Sequence, residues 1–174
     1  TEKAKELGLD RFVGGHPMAG KAEGGLAHAD PDLLRDATWF LCPSSGLQNQ
    51  ASGLLRQWIR ALGANPVEIA AEEHDRAVAL TSHFPHVLIN LLAETVLEEG
   101  VLDAAGGTLR NVLGVAGAPF NVWGDTLSTN QQAIVDSMRQ FSTKLSRLAD
   151  DVEDSDRLKD LFSRGRACRE RLRR

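Results

Sequence analysis

The chain is 174 residues long, 42% hydrophobic and 25% charged, with a formal net charge of -4. That size holds one large domain or two small ones, and the composition is that of a soluble globular protein. No run of about 18 uncharged apolar residues occurs, so no membrane span is expected, and residues 1–10 show no leader-like apolar run.

Residues 2–7 read as a helix end closed by Gly8, and residues 11–15 as a strand that enters a Gly-rich turn over 14–25. After an irregular polar stretch, Thr38-Trp39-Phe40-Leu41-Cys42 reads as a strand stopped by Pro43. A helix is expected over 46–62, where Leu47, Ala51, Leu54, Leu55, Trp58, Ile59 and Leu62 recur at steps of three and four. Gly63 closes it, and 64–70 reads as a strand weakened by Pro66. This alternation is that of an α/β domain. A chain that opens on a helix end and runs into a strand reads as the later part of one.

From Ala71 the pattern turns helical. Residues 71–98 carry Ala77, Leu80, Phe84, Val87, Leu88, Leu91, Leu92 and Val96 along a broad stripe, which predicts burial on more than one side. Gly106-Gly107 precedes a helix over 108–116, and Gly117-Ala118-Pro119 precedes a short one over 120–127. Thr129 and Gln132 match a capping box opening a long helix over 130–149, with Ile134, Val135, Met138, Phe141, Leu145 and Leu148 as its core face. A last helix is expected over 155–172. So much apolar helix surface on about 100 residues favours an intertwined dimer over a compact monomeric bundle. Residues 157–174 hold eight basic and two acidic side chains. No aromatic interleaves the arginines, so they read as a solvated helix offsetting Asp150, Asp151, Glu153, Asp154 and Asp156, and no nucleic-acid partner is expected. Cys42 and Cys168, distant in sequence, read as free thiols of a reducing cytoplasm.

Two strings carry the chemistry. In Gly14-Gly15-His16-Pro17-Met18-Ala19-Gly20 a histidine sits at a strand end, where α/β proteins place ligand contacts. An imidazole with an ordinary pKa of about 6.5 suits a general base, although Pro17 could equally fix His16 as a structural residue. In Ser82-His83-Phe84-Pro85-His86 a proline interrupts an apolar helix at a cost of roughly 3 kcal/mol. Pro85 cannot donate to the Thr81 carbonyl, so a kink is expected beside His83 and His86, which lie about 60° apart around a helix. His74, nine residues before His83, would face the other way on a straight helix and so would serve a neighbouring subunit or cap the helix start. No metal site is expected, because no carboxylate lies on the His83–His86 turn. Neither Ser82 nor Cys42 has a located base, and no G-x-G-x-x-G or phosphate-loop motif occurs.

These strings, with Asp36-Ala37-Thr38-Trp39-Phe40-Leu41-Cys42-Pro43, Glu73-His74-Asp75, Gly106-Gly107 and the Pro119-to-Trp123 spacing, resemble the prephenate dehydrogenase family in the family's order and over nearly the whole chain. The resemblance implies a mainly α (α+β) chain. Residues 1–70 would be the terminal strands of a Rossmann-type NAD(P)-binding domain, and 71–174 an all-helical dimerisation domain. It implies a cytoplasmic homodimer that uses NAD or NADP to oxidise and decarboxylate a cyclohexadienyl carboxylate. His16 matches the catalytic histidine. Ser82, His83, His86, Trp123 and His74 fall among substrate-pocket positions, with Trp123 equally suited to a core. Gly15, Pro17 and Gly20 are expected beside the cofactor, whose glycine fingerprint would lie upstream, so the chain alone is expected to be inactive. Two departures matter. Gly114 stands where the family has a carboxylate-binding arginine, with Arg110 one turn earlier on the same face, and Lys21-Ala22-Glu23 replaces the usual Ser or Thr and Glu after Gly20. Prephenate, arogenate and an amino analogue therefore stay open as substrates. The rivals are a β-hydroxyacid-type dehydrogenase with a lysine base and a helical dimerisation or ligand-binding module without catalysis.

Overall fold

The computed structural model describes residues 1–21, 25–44 and 50–172. Ala22, Glu23 and Gly24 of the expected turn, the start of the 46–62 helix, and Arg173 and Arg174 lie outside the described residues. The opening helix α1 (Glu2–Glu6) ends as expected at Gly8, whose φ of +67° a Cβ would strain. Leu9 N–H donates to the Ala4 carbonyl and Gly8 N–H to that of Lys5, which satisfies the helix's last carbonyls.

Strand β1 (Val13–Pro17) lies two residues later than expected and takes in His16. The register decides this. Gly15 pairs with Leu41, His16 with Phe40 and Pro17 with Trp39 on antiparallel β2 (Thr38–Pro43), and Met18 N–H extends the ladder to the Thr38 carbonyl. β2 continues through α2 (Gln50–Ala61) into parallel β3 (Asn65–Glu68), which gives the sheet order β1-β2-β3. Gly63, at φ +81°, closes α2 with the same double cap as Gly8, through Ala64 N–H to Ile59 and Gly63 N–H to Arg60. Leu41, Ile59 and Ala64 form the core here, packed by Val13, Leu34, Trp39 and Leu55. Arg56 of α2 pairs with Glu68 of β3 and ties the helix to the strand it feeds.

The expected 71–98 helix is three consecutive segments. α3 (Ala71–Val78) passes into a π-helical stretch, Ala79–His83, and then into α4 (Phe84–Glu98). The break imposed by Pro85 is thus absorbed as a widened turn just before it, a form common at functional sites. α5 (Gly107–Leu113), α6 (Phe120–Thr129), α7 (Gln131–Asp150) and α8 (Ser155–Leu172) follow.

Two expectations fail in this half. Thr129 does not cap α7: it ends α6, its hydroxyl donating to the Asp125 carbonyl, and Asn130 sits at the α7 N-cap without a side-chain cap bond. The broad burial of α4 and α7 is also absent within one chain. α4 buries only Phe84 and Val96, and α7 only Ile134, while Leu91, Leu92, Met138, Phe141 and Leu145 stay exposed. No helix among the described residues is long and apolar enough to cross a membrane.

Candidate active site

β1 delivers His16 to the sheet's rim with solvent on one side. Gly15 beside it sits close to the Trp39 indole: a Cβ there would lie 3.1 Å from Trp39 Nε1, so the indole would have to give by a few tenths of an ångström. Helix α3 crosses this end of the sheet and places His74 on both neighbours. The His74 ring meets Phe40 edge-on at 5.5 Å, and its Nε2 lies 2.8 Å from His16 Nδ1. The other nitrogen, Nδ1, is 2.8 Å from Asp75 Oδ1. His74 therefore neither caps α3, whose N-cap Ala70 makes no side-chain bond, nor points away from the site.

The π-helical stretch carries the next histidine. His83 is buried, and its Nδ1 lies 3.3 Å from Asn130 Nδ2, which also donates to the Asp75 backbone carbonyl at 2.8 Å. A carbonyl only accepts, so that amide nitrogen is the donor to His83 Nδ1 as well. The proton of neutral His83 then sits on Nε2. Trp123 of α6 stands against both pocket histidines, 3.9 Å from the His86 ring centre and 6.2 Å from that of His83. It is held there from α4: Asn90 Nδ2 donates to the His86 carbonyl, and Asn90 Oδ1 accepts from Gly117 N–H in the turn before α6. His86 Nδ1 is a buried polar atom without a hydrogen-bond partner.

His16, His74, His83, His86 and Trp123 thus converge. Ser82 lies half-buried in the π-helical stretch beside His83. Arg110 stands apart on α5, where its Nε donates to the Ala105 carbonyl at 3.1 Å. At Gly20 no described residue lies within 4 Å of where a Cβ would stand. Sequence reasoning gave Asp75, Asn90 and Asn130 no part. The available signals were a carboxylate next to a histidine and an asparagine at the α6–α7 junction, whereas Asn90, inside α4, gave none. A cavity of about 860 Å³ between α3 and α7 shares Asp75 and Asn130 with the cluster but contains none of its histidines. Its walls mix Glu72, Arg76, Asp136 and Arg139, and we place the chemistry at the histidines, where hydrogen bonds fix which nitrogen carries a proton.

Burial pushes the His16 pKa below 6.5, and His74 pushes it further. Burial likewise lowers His83, with His16 and His74 adding to the shift, Asp75 opposing it and His86 contributing least. Burial raises the Cys42 thiol, reinforced by Asp75, so that thiol is no ready nucleophile. A histidine whose pKa is lowered on folding lets the unfolded chain bind protons first as pH falls. Its contribution to stability is present above the ordinary value of 6.5 and is lost on acidification. We expect Tm to drop from about pH 7 to about pH 5, and to drop less steeply in His83→Gln. Equal slopes in thermal melts of the two proteins would remove His83 from this account.

The family model described as the prephenate dehydrogenase nucleotide-binding domain matches residues 1–68, and the one for the dimerization domain matches residues 70–164. The prephenate dehydrogenase of Bacillus subtilis is 32% identical over 152 residues, covering 84% of this chain and 41% of that protein. The cyclohexadienyl dehydrogenase of Zymomonas mobilis is 27% identical over 166 residues, covering 91% and 57%. The chain thus spans about half the length of the curated relatives it matches. Among solved structures, Synechocystis arogenate dehydrogenase superposes with a TM-score of 0.85 at 24% identity, over 99% of this chain and 65% of that one. Prephenate dehydrogenase from A. aeolicus, in complex with hydroxyphenyl propionate and NAD+, gives 0.85 at 23%, over 97% and 61%. At these identities the likeness establishes the fold: terminal strands of a Rossmann-type domain followed by a helical domain.

Proposed function

The chain belongs to the prephenate dehydrogenase family, and we propose that it forms the catalytic and dimerising part of an NAD(P)-dependent dehydrogenase of prephenate or arogenate. The observation that carries this reading is His16 at the β1 rim. Its Nδ1 is engaged by His74, so Nε2 is the nitrogen that meets a ligand. Residues 1–70 then close the nucleotide-binding half, and residues 71–174 form the helical half.

The residues present fit the reactive end of a nicotinamide cofactor. No described residue crowds Gly20 past the strand, whereas the space beside Gly15 is taken by the Trp39 indole and is no phosphate cradle. Gly15, Pro17 and Gly20 contribute backbone there. When bound, such a cofactor supplies a hydride acceptor. His16 Nε2 accepts the proton of the ring hydroxyl as hydride leaves the same carbon, and loss of carbon dioxide then makes the ring aromatic. His83 Nε2–H offers a donor to a substrate oxygen. Trp123 lies against the His86 ring and beside His83, so we assign these aromatic groups to the wall of the substrate pocket, with Ser82 next to His83. Arg110, one turn before Gly114 on α5 and with its Nε bonded to the Ala105 carbonyl, is the cation we assign to a substrate carboxylate on the family resemblance alone. Free Cys42 and Cys168 support a cytoplasmic setting.

The exposed apolar faces of α4 and α7 support a homodimer. The test couples two measurements. Joined to a complete dinucleotide-binding half, the chain is expected to sediment as a dimer and to reduce NAD+ or NADP+ with release of carbon dioxide from prephenate or arogenate. No turnover with either acid overturns the reading, and a catalytically active monomer overturns the dimer.

A further inference from the structure

The geometry points to Asp75 and His74 as a positioning pair that fixes His16 as the tautomer with its proton on Nδ1 and a bare lone pair on Nε2. This rests on the proposed role of His16 as base, but the hydrogen-bond argument needs no substrate. An ionised carboxylate only accepts, so His74 Nδ1 must donate to Asp75 Oδ1 across their 2.8 Å contact. In the neutral His74 ring, Nε2 then holds a lone pair. The 2.8 Å contact between His74 Nε2 and His16 Nδ1 needs one proton, and only His16 can supply it. His16 Nε2 is left unprotonated and able to accept. Free histidine favours the opposite tautomer, with the proton on Nε2, in which it could not act as base from that nitrogen.

The pair is built to hold this arrangement. The His74 side chain is 14% exposed, and Phe40 packs edge-on against its ring at 5.5 Å. Asn130 ties the Asp75 backbone to His83, so one amide sets the heights of both the accepting and the donating side of the pocket. The Asp75 carboxylate is itself 55% exposed, where a bare Coulomb term is small. Its contribution is therefore directional: it selects which His74 nitrogen carries the proton. When His16 takes a proton at Nε2, its Nδ1–H already points at the His74 lone pair, so the new charge finds a prepared acceptor.

The test reads the tautomer directly. Long-range proton–nitrogen spectra of the full chain labelled with nitrogen-15 histidine report which nitrogen of each of the five rings is protonated. In the wild type, His16 is expected to carry its proton on Nδ1. In Asp75→Asn, and separately in His74→Phe, the proton is expected to move wholly or largely to Nε2. A wild-type His16 protonated on Nε2, or an unchanged Nδ1 proton in both variants, overturns the proposal, and the wild-type spectrum decides alone if a variant fails to fold. In the assembled dehydrogenase, Asp75→Asn is expected to lower kcat by roughly tenfold to a thousandfold, less than the about 10²–10⁴ that loss of the base itself costs, and to leave KM nearly unchanged. Unchanged kcat with a raised KM would make Asp75 a binding residue and overturn its positioning role. A wild-type enzyme without turnover would overturn the functional reading, with the spectra still deciding the tautomer.

Discussion

His16→Asn is expected to lower kcat by about 10²–10⁴-fold while KM changes little, because a general base acts on the transition state rather than on the bound substrate. Asparagine keeps a polar group of similar reach near His74 but cannot take up a proton. The surroundings favour this split. Burial and the neighbouring His74 hold the His16 pKa below 6.5, so the ring is neutral and ready to accept at pH values near neutrality. Steady-state kinetics on the assembled enzyme separate the outcomes: a raised KM at constant kcat would move His16 from proton transfer to binding.

Leu41→Ala is expected to destabilise the fold by about 2–5 kcal/mol, the cost of losing buried methyl groups and leaving a cavity. Leu41 is 1% exposed and sits at the centre of the Ile59–Ala64 core. It also stands opposite Gly15 in the ladder, one residue from His16. The loss should therefore appear twice, as a lower midpoint in urea unfolding and as weaker order at the end of β1. A midpoint within about 0.5 kcal/mol of wild type, the range of ordinary surface substitutions, would mean that the sheet core is supported elsewhere.

Much of the fold was legible because single residues carry local rules. Gly8 and Gly63 close their helices by the same left-handed cap, and Pro43 marks the end of β2. The structure carries β1 two residues further than the sequence suggests, because His16-Pro17 after Gly14-Gly15 reads as a turn, and only the ladder to β2 keeps both in the strand. The cost of Pro85 was visible, but its resolution as a π-helical stretch was not, since a wider turn and a kink leave the same sequence trace. That stretch is also why counting on a straight helix failed for His74.

Histidine motifs flagged the site, yet its wiring was hidden. His16 and His74 are 58 residues apart, and the helix–sheet crossing that joins them has no periodic signature. Asn130 looked like a residue inside a capping box, where its tie to Asp75 and His83 could not be read. The apolar stripes of α4 and α7 were read correctly as stripes. Amphipathicity does not say whether the covering surface belongs to the same chain, and here the chain leaves Leu91 and Leu145 exposed.

The most direct measurement is the pH dependence of kcat/KM in the assembled dehydrogenase, which reports the free enzyme's base. The titratable groups coupled to His16 are His74, which contacts it directly, Asp75 behind His74, and His83, which feels the His16 charge. With the His16 pKa depressed, the acid limb is expected to have its midpoint below 6.5 and the slope of a single proton, and to be absent from the residual activity of His16→Asn. An acid limb that survives in His16→Asn, or one centred above 6.5, would contradict the assignment of His16 as the base.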